Sequence, residues 1–306
     1  MLDQLRGLVV FAEVVDGKSF ARAAARLHIT RSAVSKHVAQ LESQLGVQLL
    51  SRTTRKLSLT EVGARVYAAS SSVRDAAELA REAAHTHQGV VEGTLRVTAP
   101  VGLGRTYLVP LARELMARHP RLEVALLLSD SYLDLVEERI DVALRVARAL
   151  DSRAVDSTLV ARSVAPVSIV LCAAPSYLAQ HGTPTRPSEL ARHQFIRHLP
   201  SAEPGRLRLS KGKRDVEVTV AGRLTCNDGA TSVEAALQGL GVISVPEFEV
   251  SDEVRAGRLR LVLVGWTTHG MSLLAVTPPR RHVSSKVRTF VDFVCERWQV
   301  PPWQIL

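Results

Sequence analysis

The segment SFARAAARLHITRSAVSKHVAQLESQLG, from Ser19 to Gly46, decides the fold of the N-terminal part of the chain. It contains two helical patterns separated by a few residues, and Ser19 and Thr30 are residue types that cap the start of a helix. The apolar stripe of the second helix recurs at spacings of 4, 3 and 4 and consists of Val34, Val38, Leu41 and Leu45. Two helices joined by so short a turn must cross steeply, so the segment predicts a helix-turn-helix.

The outer face of the second helix carries small and polar side chains. At about 100° per residue, Ser32, Ser35 and Lys36 point away from the apolar stripe. Small side chains let a helix enter the major groove of DNA, and serine can bond to bases or phosphates. The predicted DNA contacts of this segment are Thr30, Arg31, Ser32, Ser35 and Lys36. A three-helix bundle with a polar surface is the alternative.

The next segment, LLSRTTRKLSLTEVG, runs from Leu49 to Gly63 and reads as a two-stranded wing with a basic tip. Leucine pairs flank the polar loop on both sides, as expected for two short strands. A basic tip beside a helix in the major groove can contact phosphates or place an arginine in the minor groove. The predicted contacts of the wing are Arg52, Thr53, Thr54, Arg55 and Lys56. A solvated hairpin is the alternative interpretation.

The charge of the chain is concentrated in the same region. Of a net charge of +9 over 306 residues, residues 1–60 carry +5, from nine Lys and Arg against four acids. A basic end of this kind favours a polyanionic partner such as nucleic acid or an anionic membrane, although a charged solvated face would give the same count.

These two segments together closely resemble the winged helix-turn-helix of LysR-type transcriptional regulators. The resemblance rests on Phe20, the run of three alanines from Ala23, the Ala33-Val34-Ser35 triplet, Leu41-Glu42, Leu45-Gly46-Val47 and the closing LTEVG. It implies a regulator that binds double-stranded promoter or operator DNA. One departure is Arg31, at a position where glutamine is frequent in the family, so base preferences are not transferred.

Residues 61–88 continue as an uninterrupted helical pattern that predicts a linker helix. Its apolar positions alternate at spacings of 4 and 3, and the predicted dimerisation residues are Val62, Val66, Ala69, Val73, Ala76 and Ala80. Alanine allows close approach but buries little area, and a helix packed on its own domain is the alternative. The resemblance implies that linker helices pair, giving a homodimer and a tetramer. A two-fold dimer would read symmetric half-sites about 34–36 Å apart.

After a predicted hinge at residues 89–93, alternating strand and helix patterns indicate an α/β domain over residues 94–306. One of the predicted helices spans Tyr132 to Arg139. The segments IDVALRV, APSYLAQHGTP, GLGVISVPEF and SSKVRTFVDFV resemble the two-lobed effector domain of LysR-type regulators, which is similar to periplasmic solute-binding proteins. The resemblance implies lobe I at 94–162 and 266–306 and lobe II at 163–265, with crossings near Arg162 and Trp266.

In open α/β sheets, ligands bind beyond the carboxyl ends of strands. The residues expected there, and predicted to bind an effector, are Thr98, Ala99, Pro100, Val101, Ser129, Arg145 and Asn227. The segments Thr98–Val101 and Asn227–Asp228 are also expected to begin helices. The free N–H groups of a helix start can hold a carboxylate, so a small organic acid is the expected effector. Alternatively, Thr98 only caps a helix and Arg145 pairs with an acid such as Asp141.

No motif supports an enzyme. The GLG segments at 102–104 and 239–241 do not extend to GxGxxG, and neither GxSxG, HExxH nor a P-loop is present in the sequence. We therefore expect no catalytic residue, no cofactor and no metal. A solute-binding protein acting alone would not explain the first sixty residues.

Compartment and redox state follow from the remaining composition. Cys172, Cys226 and Cys295 show no metal-binding spacing and are expected to be buried small hydrophobes. The N-terminus lacks the pattern of a signal peptide, and no apolar run approaches a membrane span of about 20 residues. The expectation is a cytoplasmic protein without a membrane partner.

Overall fold

The computed structural model describes residues 2–53, 56–86, 91–148, 159–198, 205–212, 214–266, 271–278 and 283–305. The chain forms two compact units, residues 1–89 and residues 90–306. The elements of the first unit are α1 (Leu2–Gly17), α2 (Phe20–Leu27), α3 (Arg31–Leu45), β1 (Leu50–Thr53), β2 (Lys56–Leu59) and α4 (Glu61–Thr86).

Side-chain caps set the short turn between α2 and α3. The Ser19 hydroxyl accepts a hydrogen bond from the Arg22 N–H at 3.4 Å and starts α2. His28 ends that helix in the left-handed conformation, with φ of 52°. The Thr30 hydroxyl then accepts from the Ala33 N–H at 3.2 Å and starts α3. The predicted helix-turn-helix is therefore confirmed, and its core contains Phe11, Ala23, Val34, Val38, Leu41 and Leu49.

The wing is attached to α3 through one carboxylate. β1 and β2 are antiparallel, with Leu50 opposite Leu59 and Thr53 opposite Lys56. The Leu49 and Leu50 N–H groups donate to Glu42 Oε1 at 2.8 and 3.1 Å. Because Glu42 lies on α3, this bond sets the position of the wing relative to that helix.

The LTEVG segment joins the wing to α4. The Thr60 hydroxyl accepts from the Gly63 N–H at 2.9 Å and donates to the Gln48 carbonyl at 2.7 Å. A Cβ added to Gly63 would lie 2.0 Å from the Leu49 carbonyl oxygen, so only glycine allows this approach. The start of α4 is thus fixed against the base of the wing.

The second unit has twelve strands and six α-helices among its described residues. Its strands are β3 (Glu92–Ala99), β4 (Arg121–Leu128), β5 (Val142–Arg148), β6 (Val160–Pro166), β7 (Ile169–Ala173), β8 (Arg197–His198), β9 (Arg206–Lys211), β10 (Arg214–Thr219), β11 (Thr225–Cys226), β12 (Ile243–Pro246), β13 (Arg260–Val262) and β14 (Met271–Thr277). Its helices are α5 (Val101–Leu103), α6 (Val109–Arg118), α7 (Pro175–His181), α8 (Gly229–Leu237), α9 (Glu247–Arg255) and α10 (Ser285–Arg297), with a π-helical turn at Gly104–Leu108 and a 3-10 helix at Pro187–Arg192.

Two sheets divide this unit into two lobes. The first lobe is built on a five-stranded sheet of order β4-β3-β5-β14-β6, in which β3 is parallel to β4 and β5 while β14 is antiparallel to its neighbours. The second lobe has the antiparallel sheet β12-β7-β13, the parallel pair β8–β11 and the hairpin β9–β10. The C-terminal strand and helix complete the first lobe, as the resemblance implied.

Three details differ from the sequence prediction. β6 pairs with β14 as far as Pro166, so the chain leaves the first sheet later than the crossing expected near Arg162. The predicted hinge at 89–93 lies partly outside the described residues, and β3 already begins at Glu92. The segment from Tyr132 to Arg139 forms turns instead of a helix, since Asp134 Oδ1 accepts the Val136 and Glu137 N–H groups and Arg139 has φ of 55°.

The end of the chain contacts both lobes. Trp303 is fully buried, and its ring lies 5.1 Å from the Tyr107 ring of the first lobe and 5.9 Å from the Phe248 ring of α9. Arg255 on α9 donates to the Pro302 and Gln304 carbonyls. The last residues therefore connect α10 to the second lobe.

Two cysteines lie in the core of the second lobe. Cys172 and Cys226 are buried, and Cys295 is half-buried. Burial raises the pKa of Cys172 to about 12. Cys172 and Cys226 thus match the expected buried small hydrophobic side chains, whereas Cys295 is less buried than expected because it lies at the edge of the first lobe's core.

Candidate nucleic-acid interface and ligand cleft

One face of α3 carries exposed side chains that are small or cationic. Arg31, Ser32, Ser35 and Lys36 are exposed, while Val34, Val38 and Leu41 on the opposite face are buried. The Thr30 and Ser32 hydroxyls lie 2.9 Å apart at the start of the helix. The structure thus brings these five predicted DNA contacts together on the first turns of one helix.

The wing places part of the second predicted set beside its turn. Arg52 and Thr53 lie at the end of β1, and Lys56 starts β2. Thr54 and Arg55 lie outside the described residues. The backbone therefore forms the predicted hairpin, with its two strands meeting at the basic segment.

The predicted seam of α4 divides between two environments. Val62 and Val66 pack against the core of the first unit. Ala69 and Ala76 are exposed and Val73 is half-buried, whereas the side chain of Ala80 lies outside the described residues. Two of the six seam residues are thus used within their own unit, which is the alternative that the sequence left open.

A cavity of about 450 Å³ lies between the two lobes of the second unit. Thr98, Ala99, Pro100, Ser129 and Arg145 line it, as predicted. Apolar side chains form much of the remaining wall, among them Leu133, Leu144, Val146, Ile169, Val245, Phe248 and Met271. A largely apolar cavity of this size with a few polar groups is typical of a small-molecule site.

Val101 and Asn227 do not belong to the lining of the cleft. The Val101 N–H, expected to hold a ligand carboxylate, donates to Asp130 Oδ1 at 2.8 Å. The Gly229 N–H at the start of α8 donates to Asp130 Oδ2 at 3.2 Å. Asn227 is exposed, and the next residue caps α8. The helix N-termini predicted to bind an effector anion therefore hold a carboxylate of the protein itself.

Arg145 is held at the wall of the cleft by its neighbours. Its Nη2 donates to the Leu133 carbonyl at 2.9 Å, and its guanidinium lies 4.9 Å from the centre of the Tyr132 ring. Desolvation lowers the pKa of Arg145 from its ordinary value. A partly desolvated guanidinium binds a carboxylate more strongly than an exposed one does.

Two other predicted polar groups have internal partners. The Thr98 hydroxyl donates to the Leu127 carbonyl at 2.6 Å, so it ties β3 to β4. Asp141 accepts the Arg96 N–H at 3.0 Å and lies 3.5 Å from the Lys286 ammonium. Both residues thus support the sheet beneath the cleft.

Sequence reasoning missed Glu249, which also lines the cleft. Its carboxylate approaches two glycines: a Cβ added to Gly102 would lie 2.1 Å from Glu249 Oε2, and one added to Gly229 would lie 2.5 Å from the carboxyl carbon. Burial, and next the charge of Asp130, raise the pKa of Glu249 to about 7. An acid within the apolar segment VISVPEFEV was the available signal.

The described ranges contain no metal site and no helix that could span a membrane. There, no group of three His, Cys, Asp or Glu side chains is placed to hold a metal ion. Among the same residues, α4 and every other helix are too short or too polar to span a bilayer.

Two family models match successive parts of the chain. Residues 5–64 match the family described as bacterial regulatory helix-turn-helix protein, lysR family. Residues 88–299 match the LysR substrate binding domain. The two matches cover the helix-turn-helix with its wing and the two-lobed unit with its cleft.

Individual proteins are similar over the whole length. The HTH-type transcriptional regulator CrgA of Neisseria meningitidis serogroup C is 36% identical over 296 residues, covering 94% of this chain and 95% of that protein. The probable HTH-type transcriptional regulator LtrA of Klebsiella pneumoniae is 32% identical, covering 96% and 95%.

Solved structures show the same architecture. The structure of CrgA, a LysR-type transcriptional regulator from Neisseria meningitidis, is 31% identical, with a TM-score of 0.60 and coverage of 96% of this chain and 98% of that chain. The full-length structure of the Vibrio cholerae virulence activator AphB is 28% identical, with a TM-score of 0.57 and coverage of 97% and 99%.

Proposed function

Since the chain belongs to the LysR family of DNA-binding transcriptional regulators, we propose that α3 and the wing read a two-fold symmetric operator and that the cleft binds a small organic acid. The exposed face of α3 carries the first part of this proposal. Small hydroxyl side chains there let the helix approach base edges, while Arg31 and Lys36 supply positive charge for phosphates or guanines. The contacts of the wing are Arg52, Thr53, Thr54, Arg55 and Lys56.

The effector binds with a carboxylate toward Arg145 and an apolar body against the aliphatic wall. Arg145 supports this assignment because it reaches the cleft partly desolvated and with its side chain already oriented. Thr98, Ala99, Pro100 and Ser129 complete the polar edge, while Val101 and Asn227 act only indirectly. A ligand that binds one arrangement of the lobes more tightly would increase the population of the oligomer conformation that contains this arrangement. The spacing of the DNA-binding units, and thereby the affinity for the operator, would change with it.

The functional form is a homodimer, assembling further to a tetramer, in the cytoplasm. Ala69, Val73 and Ala76 of α4 form the contact between helices, since they are the seam residues with described side chains that do not pack into the core of their own unit. Ala80 continues the predicted seam. Alanines bury little area, so this contact alone would be weak, and other surfaces must contribute.

The test of DNA binding uses the purified protein and the DNA immediately upstream of its own gene, with unrelated DNA as competitor. We expect a footprint with two-fold symmetry that survives the competitor. If unrelated DNA competes as well as the upstream DNA and binding depends steeply on salt, only the basic charge of residues 1–60 is responsible. That result would contradict operator recognition at this site.

The test of the cleft is a thermal-shift screen of small carboxylic acids against the protein and its Arg145→Ala variant. We expect at least one acid to raise the melting temperature of the parent protein and to lose at least tenfold in affinity for the variant, because the charge-assisted contact is removed. Lys211→Ala, which removes an exposed cation from the β9–β10 hairpin, is the matched control. Equal binding to all three proteins would contradict the role of Arg145.

A further inference from the structure

Three carboxylates converge where the two lobes meet. Asp130 follows β4 in the first lobe, whereas Glu249 lies on α9 and Asp228 caps α8 in the second lobe. Asp130 and Glu249 both line the cleft. Ionised carboxylates repel each other more strongly when they are partly buried than when water surrounds them. The protonation state of this cluster therefore affects the free energy of contact between the lobes.

Asp130 makes a direct connection between the lobes. Its Oδ1 accepts from the Val101 N–H of the first lobe at 2.8 Å, and its Oδ2 accepts from the Gly229 N–H of the second lobe at 3.2 Å. Asp130 therefore joins the two lobes through two backbone hydrogen bonds.

The Glu249 carboxylate lies against two glycines, and one of them, Gly229, also donates to Asp130. Gly102 of the first lobe and Gly229 of the second both lack the Cβ that would collide with its carboxylate. Within the described residues, no side chain or backbone group donates a hydrogen bond to Glu249. Asp130 and Asp228 face it with negative charge, and Arg105 of the π-helical turn faces it with positive charge. Its ionised form is thus poorly compensated.

We propose that Glu249 is a proton-operated latch between the lobes. When it is protonated, its O–H can be donated to the Asp130 carboxylate across the lobe contact, and the closed cleft is favoured. When it is ionised, two carboxylates oppose each other and the lobes separate.

The pH range of the latch follows from the same geometry. Desolvation and the charge of Asp130 raise the pKa of Glu249 from 4.5 to about 7. A carboxyl group whose pKa is higher in the folded state stabilises that state at low pH, and this contribution is lost as the pH rises through the folded value. The latch therefore holds below neutrality and releases above it.

The first test compares the melting temperature of the full chain at about pH 6 and about pH 8 with that of its Glu249→Gln variant. The neutral amide cannot ionise, whereas the Glu249 carboxyl group destabilises the fold progressively between its unfolded pKa of 4.5 and its folded pKa of about 7. We therefore expect the variant to melt higher than the parent at both pH values, with a difference about 3–5 °C larger at the upper pH. The Asp130→Asn variant should lose stability at a lower pH than the parent, because the charge of Asp130 no longer raises the pKa of Glu249. Glu137→Gln, which removes an exposed acid, should leave the parent profile unchanged.

The second test measures the distance between the lobes without ligand or DNA. Spin labels are attached after Val136→Cys in the first lobe and Leu240→Cys in the second, both exposed positions, in a Cys295→Ser background. Labelled chains are diluted with unlabelled chains so that only distances within one chain are seen. We expect a longer distance at about pH 8 than at about pH 6, and a short distance at both with Glu249→Gln.

Two results would overturn the proposal. One is a pH profile of stability that Glu249→Gln leaves unchanged, and the other is an interlobe distance that does not depend on pH. Because neither measurement uses an effector, these results are independent of the organic-acid screen.

Discussion

Lys36 is an exposed residue of α3 that we expect to contribute to DNA affinity. It lies on the face that carries Ser32 and Ser35, and it is exposed, so its role is not to hold the fold together. A lysine that contacts a phosphate or a base edge adds to DNA affinity through charge and counterion release.

We predict that Lys36→Ala weakens binding to the operator by about tenfold or more, which corresponds to about 1–3 kcal/mol, and reduces the salt dependence of binding. The melting temperature should not change. Fluorescence anisotropy across a salt series gives both quantities. Arg113→Ala removes an equally exposed cation from the second unit and should leave affinity nearly unchanged. Equal losses in the two variants would show that only net charge matters.

At the scale of residues, the sequence predicts those side chains that act locally. Ser19 and Thr30 could be recognised as caps because a cap bonds within three residues of itself. Asp130 and Glu249 could not, since they are far apart in sequence and meet only when the lobes meet. Val101 was misjudged for the same reason, because the partner of its N–H is Asp130.

At the scale of elements, α1 and α4 are joined by a partly buried ionic network. Arg74 Nη1 lies 3.0 Å from Glu13 Oε1 and 2.5 Å from Asp16 Oδ2. The Asp16 side chain is only 3% exposed and also accepts the Tyr67 hydroxyl at 2.6 Å. The packing of Val62 and Val66 on the same core adds an apolar component. Helix α4 is thus attached to the helix-turn-helix along its first half.

We predict that Arg74→Ala destabilises the first unit by about 3 kcal/mol, because it leaves the Asp16 carboxylate buried without its cation. Amide hydrogen exchange in α1 should accelerate by roughly 100-fold. Arg65→Ala on an exposed position of the same helix is the control. Asp16→Asn combined with Arg74→Ala should cost less than the sum of the two single variants, and strict additivity would exclude the network.

The contacts between α4 and α1 also explain why heptad spacing alone did not predict which surface the seam of α4 packs against. A spacing of 4 and 3 identifies residues that share a face but not what covers that face. Val62 and Val66 meet the seam pattern and nevertheless contact the core of their own unit. The wing strands, α2 and α3 were predictable because their partners lie close by in sequence.

At the scale of the whole molecule, the C-terminal segment joins the lobes. Trp303 contacts Tyr107, Phe248 and Trp298 through edge-to-face ring pairs, and it is fully buried. In a chain with only 4% aromatic residues, this cluster is an unusual concentration of apolar area. It sits where the first lobe, α9 and the end of the chain come together.

We predict that Trp303→Ala destabilises the second unit by about 3–5 kcal/mol through loss of burial and formation of a cavity. Urea unfolding followed by circular dichroism measures this change. Val300→Ala, at a position 76% exposed, should be nearly neutral. A cost below about 1 kcal/mol for Trp303→Ala would mean that the C-terminal segment is not part of the cooperative unit.

The order of strands and helices in the two lobes could be predicted through the resemblance of whole segments to the family. The positions of the crossings could not be fixed to the residue, because β6 continues as an edge strand to Pro166 without any change in composition. The contacts of the C-terminal segment depend on packing between lobes, and periodicity carries no information on such contacts.

The attachment of α4 to the wing and to α1 makes the helix a lever arm. With 26 residues at about 1.5 Å each, it is about 39 Å long. A tilt of about 5° about its distal end would carry α3 sideways by about 3.4 Å, which equals the rise of one base pair. In the proposed dimer, a tilt of a few degrees would therefore move α3 by the length of one base-pair step along the DNA. Operators that differ in half-site spacing by a single base pair should then bind with different affinities.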